Sequence, residues 1–154
     1  DSAGAVSDVV STVNGEPVAV GEARDPAAFT EALGGATHVE GASTFPTGAE
    51  AWAGFANLNT DLYPLAFPNG ALIAFTGSVP SGVAADVRFR FEFNPYPDVD
   101  PSHDTPAVTV SGADPAVYEI EIPSQGENTF SSFLMYLNTQ DVTVEVSDVI
   151  ITVL

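Results

Sequence analysis

Two of the three cationic residues, Arg88 and Arg90, sit in Asp86-Val-Arg-Phe-Arg-Phe-Glu-Phe-Asn94. Residues two apart in an extended strand share a face. Both guanidinium groups therefore fall on one polar stripe with Glu92 and Asn94, opposite Val87, Phe89, Phe91 and Phe93. A guanidinium is a planar fork of donors that meets carboxylates, sulfates or hydroxyls. If acidic cross-strand neighbours take those donors instead, the stripe only knits the sheet, at about 0–1 kcal/mol per exposed pair. Ser132 to Gln140 carries a second stripe. Phe133, Met135 and Leu137 share one parity, and Leu134, Tyr136, Asn138 and Gln140 the other. With the first set in the core, Tyr136, Asn138 and Gln140 join the polar face. A flat ring covers the apolar face of a pyranose, and amides both donate to and accept from hydroxyls. A third group is Trp52, the only tryptophan, with Phe55, Asn57, Asn59 and Tyr63. Tyr63 and Tyr96 each precede a proline in a loop and read as exposed. The competing role for Trp52 and Tyr136 is core packing.

Carboxylates offer a different chemistry. Asp98, Asp100, Ser102 and Asp104 imitate the first four ligand positions of a calcium-binding helix–loop–helix. The match then fails, because His103 holds the glycine position and Thr109 the position of the bidentate Glu. Calcium held by Asp98, Asp100 and Asp104 remains an expectation, with Asp148 as a further oxygen donor. Catalysis has little footing. His38 and His103 are the only imidazoles, and neither G-x-S-x-G nor H-E-x-x-H occurs. Glu119 and Glu121 alternate outward from a strand rather than facing each other across a sugar. A lyase needs Arg, His and Tyr to converge, and the spacing does not select Arg88, His103 and Tyr136. The absence of cysteine excludes disulfides and thiolate chemistry.

The elements that must position these residues are strands. Thr37–Glu40, Ala49–Asn57, Ala71–Ser78, Ala85–Asn94, Ala107–Ser111, Val117–Ile122, Ser132–Thr139 and Val142–Val153 read as β, the last with a break or bulge at Ser147-Asp148. Residues 57–64 and 95–106 read as loops, Phe45 to Thr47 as turn-like, and Val79-Pro80-Ser81-Gly82 as a turn. One short helix is predicted over 25–33, with Asp25 as N-cap, Pro26 in the first turn and Gly34-Gly35 as the stop. The sum is an all-β chain, an antiparallel β-sandwich of the jelly-roll kind.

Composition narrows the partners. With three Arg, no Lys and 21 acids the net charge is 3 − 21 = −18. That excludes ordinary nucleic-acid binding, which needs a basic patch, and argues against docking on anionic membranes, which takes clustered Lys and Arg. No apolar run is long enough for membrane insertion. With 45% hydrophobic and 10% aromatic residues the chain is nonetheless one that folds. Its 154 residues suit a single β-sandwich domain over 1–154, with 1–28 as a linker or an N-terminal packing arm. Starting at Asp1 without a leader-like segment, it reads equally as a processed piece or as a chosen boundary. The acidity suits a surface kept soluble at high ionic strength.

Three segments, in order, carry a resemblance: TFPTGAEAWAGFANLNTDLYPLAFPN (44–69), DVRFRFEFNPYP (86–97) and IPSQGENTFSSFLMYLNTQDVTVEVSDVIIT (122–152). Together they resemble the non-catalytic carbohydrate-binding modules of secreted marine-bacterial polysaccharide-degrading enzymes, over roughly residues 33–154. The resemblance implies a jelly-roll sandwich, a secreted or cell-surface location, and an attached catalytic domain that the module brings to a polysaccharide. It also implies a structural calcium ion. The ligand-binding positions it implies are Arg88, Arg90, Glu92, Asn94, Tyr136, Asn138 and Gln140, with Trp52 and Tyr96. A single Trp disfavours a flat platform for crystalline surfaces and favours a groove for a soluble chain. A β-glucan such as laminarin is the first expected ligand, with anionic algal glycans kept in play by the two arginines. The rival readings are a structural or adhesion domain of a cell-surface or virion protein, and a small polysaccharide lyase or hydrolase.

Overall fold

The computed structural model describes residues 22–24 and 26–154. The valine-bearing segment before Glu22, and Asp25 with its expected capping role, lie outside them. One six-stranded sheet runs β11 (Ala116–Ile122), β7 (Ala71–Ser78), β14 (Val144–Val153), β4 (Ala42–Thr44), β3 (Thr37–Val39), with β1 (Glu22–Ala23) also paired to β14. The second runs β10 (Val108–Ser111), β8 (Ala84–Glu92), β13 (Ser132–Leu137), β5 (Gly54–Asn57), β2 (Phe29–Leu33), with β9 (Ser102–Asp104) also paired to β8. A small ribbon joins β6 (Leu65–Ala66) to β12 (Thr129–Phe130). Every pairing among the described strands is antiparallel. The chain is thus all-β, as its alternating patterns require, and among the described residues no helix is long and apolar enough to cross a membrane.

Alternation dictates what lies between the sheets. β8 buries Val87, Phe89 and Phe91 completely, and β13 buries Phe133, Met135 and Leu137 beside them. From the other sheet β7 contributes Ile73 and Phe75, and β14 contributes Val149, Ile151 and Val153. The phenyl rings form a continuous train. Phe133 stacks on Phe91 at 4.4 Å between centroids, tilts against Phe89 at 5.6 Å and meets Phe29 edge-on at 4.9 Å. Such pairs add about 0.5–1.5 kcal/mol each beyond the area they bury.

The predicted strands over 71–78, 107–111, 117–122 and 132–139 form within a residue or two of their expected ends. The expected irregularity in the last strand is also present: the β7–β14 register shifts between Ser147 and Ile150, where Asp148 has φ 51°. Four expectations need correction. The helix over 25–33 does not form, and Phe29–Leu33 is an edge strand on β5 instead. Two helical turns cannot recover the cost of their own nucleation, whereas the strand buries Phe29 against Phe89 and Phe133. The strand expected over 49–57 shrinks to Gly54–Asn57, with turns before it. The long strand expected to Asn94 stops at Glu92, and Phe93 is 39% exposed rather than core. There the chain bends, and the Phe93 N–H donates to the carbonyls of Val99 and Pro101. Finally, the loop over 95–106 contains β9.

β9 and β10 act as one edge strand interrupted at Thr105. They pair with the two halves of β8, and Thr105 fills the gap: its N–H donates to Phe89 O at 2.9 Å and its Oγ1 accepts from Phe89 N–H at 3.0 Å. Residues 22–24, 26 and 27 join the fold as well. β1 pairs with the end of β14, and Ala27 bridges to Val149.

Phe133 touches three other rings, so Phe133→Ala should cost about 3–5 kcal/mol, read as a lower urea midpoint. Val117, 68% exposed on β11, should tolerate Val117→Ala within about 0.5 kcal/mol.

Candidate functional site

The parity that buries the phenylalanines puts Arg88 and Arg90 on the outer face of the β10-β8-β13-β5-β2 sheet. Arg88 lies opposite Tyr136, and Arg90 lies between Leu134 on β13 and Asp104 on β9. The row through Arg90 continues from Leu134 to Ala56 and Glu31. Tyr136 leans onto β5. A Cβ built on Gly54 would lie 2.6 Å from its ring, so only glycine leaves space for it. The Arg88 guanidinium stands 4.5 Å from the centroid of the same ring, a cation–π contact that holds both groups in place.

A polar network ties this face together. The two carboxylate oxygens of Asp104 go to different arginines, Oδ1 to Arg88 Nη1 and Oδ2 to Arg90 Nη1, both at 2.9 Å. Arg88 Nε donates to Asn138 Oδ1 at 3.2 Å, and Arg90 Nε to Glu92 Oε2 at 2.8 Å. Glu92, buried at 8% exposure, also accepts from the Ser132 hydroxyl at 3.2 Å. The network thus holds two positive and two negative groups. Burial works to lower the Arg90 pKa, but its hydrogen bond to Glu92 and the charge of Asp104 outweigh that and raise it. Burial and the Glu92 charge raise the Tyr136 pKa against the opposing pull of Arg90 and Arg88, so the phenol stays protonated and can donate.

Trp52 precedes Gly54 by two residues and is 62% exposed. Its ring lies against the backbone of Gly34, where a Cβ would come within 2.9 Å of it. It is a surface ring at the Gly54 end of β5, not a core residue. Asn138 and Gln140 are exposed in the turn after β13. Tyr96, 86% exposed, and half-buried Asn94 belong to the bend after β8, beyond the opposite end of the arginine stripe. Tyr63 is a strut: its hydroxyl accepts from Asn57 Nδ2 at 3.0 Å and from Phe133 N–H at 2.9 Å. The structure therefore gathers Arg88, Arg90, Glu92, Tyr136 and Asn138 on one face and leaves Tyr63 and Tyr96 elsewhere. Asp104, read in the sequence as an oxygen ligand, is the centre of the network. Gly54 was missed, and its only sequence signal was the run of small residues around Trp52.

The residues expected to hold calcium do not fit one ion. Asp104 is taken up by the arginines, Asp98 and Asp100 are exposed in the bend, and Asp148 sits in the bulge of the other sheet. Among the described residues no three His, Cys, Asp or Glu gather as a metal would require. The imidazoles are also apart. His38 Nδ1 pairs with Ser43 Oγ at 3.1 Å across β3 and β4, in a cleft of about 210 Å³ between the sheets. His103 lies on β9 opposite Phe91, and its Nε2 is buried without a hydrogen-bond partner.

No protein-family model matches the sequence, and no curated protein matches it either. Solved structures do. The CBM22-1 xylan-binding domain of Xyn10C from Paenibacillus barcinonensis superimposes with a TM-score of 0.57, at 20% identity over 86% of this chain and 95% of that one. The chain has the fold of a carbohydrate-binding module. The second such domain of the same protein aligns at 0.52 and 16% identity, over 80% of this chain and 91% of that one. A family 29 carbohydrate-binding module from Piromyces equi aligns at 0.50 and 12% identity, over 84% and 90%.

Two predictions follow from this geometry. Gly54→Ala should push the Tyr136 ring off β5 while the core stays formed, read as a changed near-ultraviolet dichroism with unchanged far-ultraviolet signal. His103 carries a pKa lowered from 6.5 by burial, with Asp104 opposing. An unfolded chain binds that proton more readily, so the stability tied to neutral His103 is complete above about pH 6.5 and drains as pH falls through the folded value. The urea midpoint should fall as the pH is lowered below about 6.5, and His103→Gln should flatten that fall.

Proposed function

We propose that this chain is a non-catalytic module that binds polysaccharide on the outer face of the β10-β8-β13-β5-β2 sheet and brings an attached enzyme to its substrate. The observation that carries the reading is Tyr136, laid across Gly54 and held by Arg88, with exposed Trp52 in the turn two residues before that glycine. Rings supply apolar contact for sugar faces. Asn138, Ser132 and the Tyr136 phenol supply hydroxyl partners, and the network fixes their orientation before any ligand arrives, which lowers the cost of binding. The fold supports the reading, since the similar structures include xylan-binding domains. Another similar structure, at a TM-score of 0.51 and 9% identity, joins such a module to the GH10 module of a Clostridium thermocellum xylanase. A secreted location and a catalytic neighbour in the parent protein belong to the same proposal.

Laminarin, a β-1,3-glucan, is the first ligand to try and xylan the second. In native gels containing either polysaccharide, the protein should be retarded. Trp52→Ala and Tyr136→Ala should each weaken binding by about 1–2 kcal/mol, about five- to thirtyfold, with dichroism confirming the fold. Prolonged incubation should release no reducing ends. Free migration through every neutral and anionic glycan tried overturns the proposal.

A further inference from the structure

The two guanidinium groups are the only described cations on a face that also carries a tyrosine ring, neutral donors and the acids Glu31, Asp86, Glu92 and Asp104, and the protein has already supplied their anions. Each arginine uses its Nε and one Nη on protein acceptors: Arg88 on Asn138 and Asp104, Arg90 on Glu92 and Asp104. Both forks of each guanidinium, Nε with Nη2 and Nη1 with Nη2, therefore already have one arm on a protein acceptor, and a ligand carboxylate or sulfate finds no fully vacant fork. Glu92 belongs to the same strand as the arginines and is buried. Asp104 comes from outside it, on the three-residue edge strand β9, with its side chain 47% exposed. Among the acids of the network it alone touches both arginines.

We propose that Asp104 is the specificity residue of this face: its carboxylate occupies the place of a ligand anion, so the face takes uncharged glycan chains and refuses uronate or sulfated ones. The ligand half of this statement rests on the proposed polysaccharide-binding function. The refusal has two parts. Locally, an incoming carboxylate meets the Asp104 charge at both arginines and must displace it to take a full fork. Globally, a chain of net charge −18 repels a polyanion. Removing the carboxylate leaves Arg88 and Arg90 with unpaired donors beside Tyr136, an anion site in an acidic protein.

The test compares wild type, Asp104→Asn and Asp114→Asn in gels containing alginate, a polyuronate, or laminarin. Asp114 is an exposed acid in the turn before β11, so its variant matches the change in net charge without touching the network. At low salt, Asp104→Asn should bind alginate about fivefold more tightly than Asp114→Asn. The gain should vanish in about 0.5 M salt and on adding Arg88→Gln. Asp104→Glu should restore refusal, and Asp104→Ser replaces Asp104→Asn if that variant fails to fold. Equal migration of Asp104→Asn and Asp114→Asn in alginate overturns the role of Asp104, as does wild-type retention by alginate that Arg88→Gln abolishes. Failure of every neutral glycan to retard the wild type overturns the polysaccharide-binding function instead, and the alginate comparison still decides whether Asp104 masks the arginines.

Discussion

Strand β8 couples the inside of this molecule to its outside. Its period of two places Val87, Phe89 and Phe91 between the sheets and thereby sends Arg88 and Arg90 outward. A slip of one residue would drive two guanidinium groups into a core of phenylalanines and strand the rings in water. The cost of that exchange fixes the register against β13, and through it the pairing of Arg88 with Tyr136 and of Arg90 with Leu134. The outer face inherits its order from the core beneath it.

The polar network is better understood as scaffolding than as a source of stability. Half-exposed ion pairs contribute little once solvent screening and side-chain entropy are counted, and a buried Glu92 owes its tolerance to its partners rather than adding to the fold. What the network contributes is position. Arg88 is held by Asp104, Asn138 and the Tyr136 ring together. Three contacts from three directions leave a long side chain few rotamers to lose when something docks against it.

Much of this was legible in the residues. Alternation in 85–94 and 132–139 identified both stripes, their polarity and the aromatic between them, because period two is a direct image of strand geometry. The bulge at Ser147-Asp148 was legible for the same reason. The misread segments were those where a distant partner decides. Phe29–Leu33 has good helical punctuation, but Phe29 gains more against Phe89 and Phe133 than two helical turns can supply. Asp104 sits among prolines and aspartates that resemble a calcium loop, and only the pairing of β9 with β8 turns it toward the arginines. Gly54 carried no readable role until the Tyr136 ring was seen to need its missing side chain.

The interrupted edge at Thr105 has a consequence for the company the protein can keep. An unbroken edge strand beside so apolar a core would be a template on which another chain could extend the sheet. Here one edge of the sheet is split into β9 and β10 around Thr105-Pro106, where proline has no N–H to offer. The opposite edge, β2, has its ladder broken between Phe29 and Glu31 and carries an exposed acid. Both described borders of this sheet are poor templates for strand addition, so the broad face between them can stay open to solvent without inviting a further strand at either of its own rims.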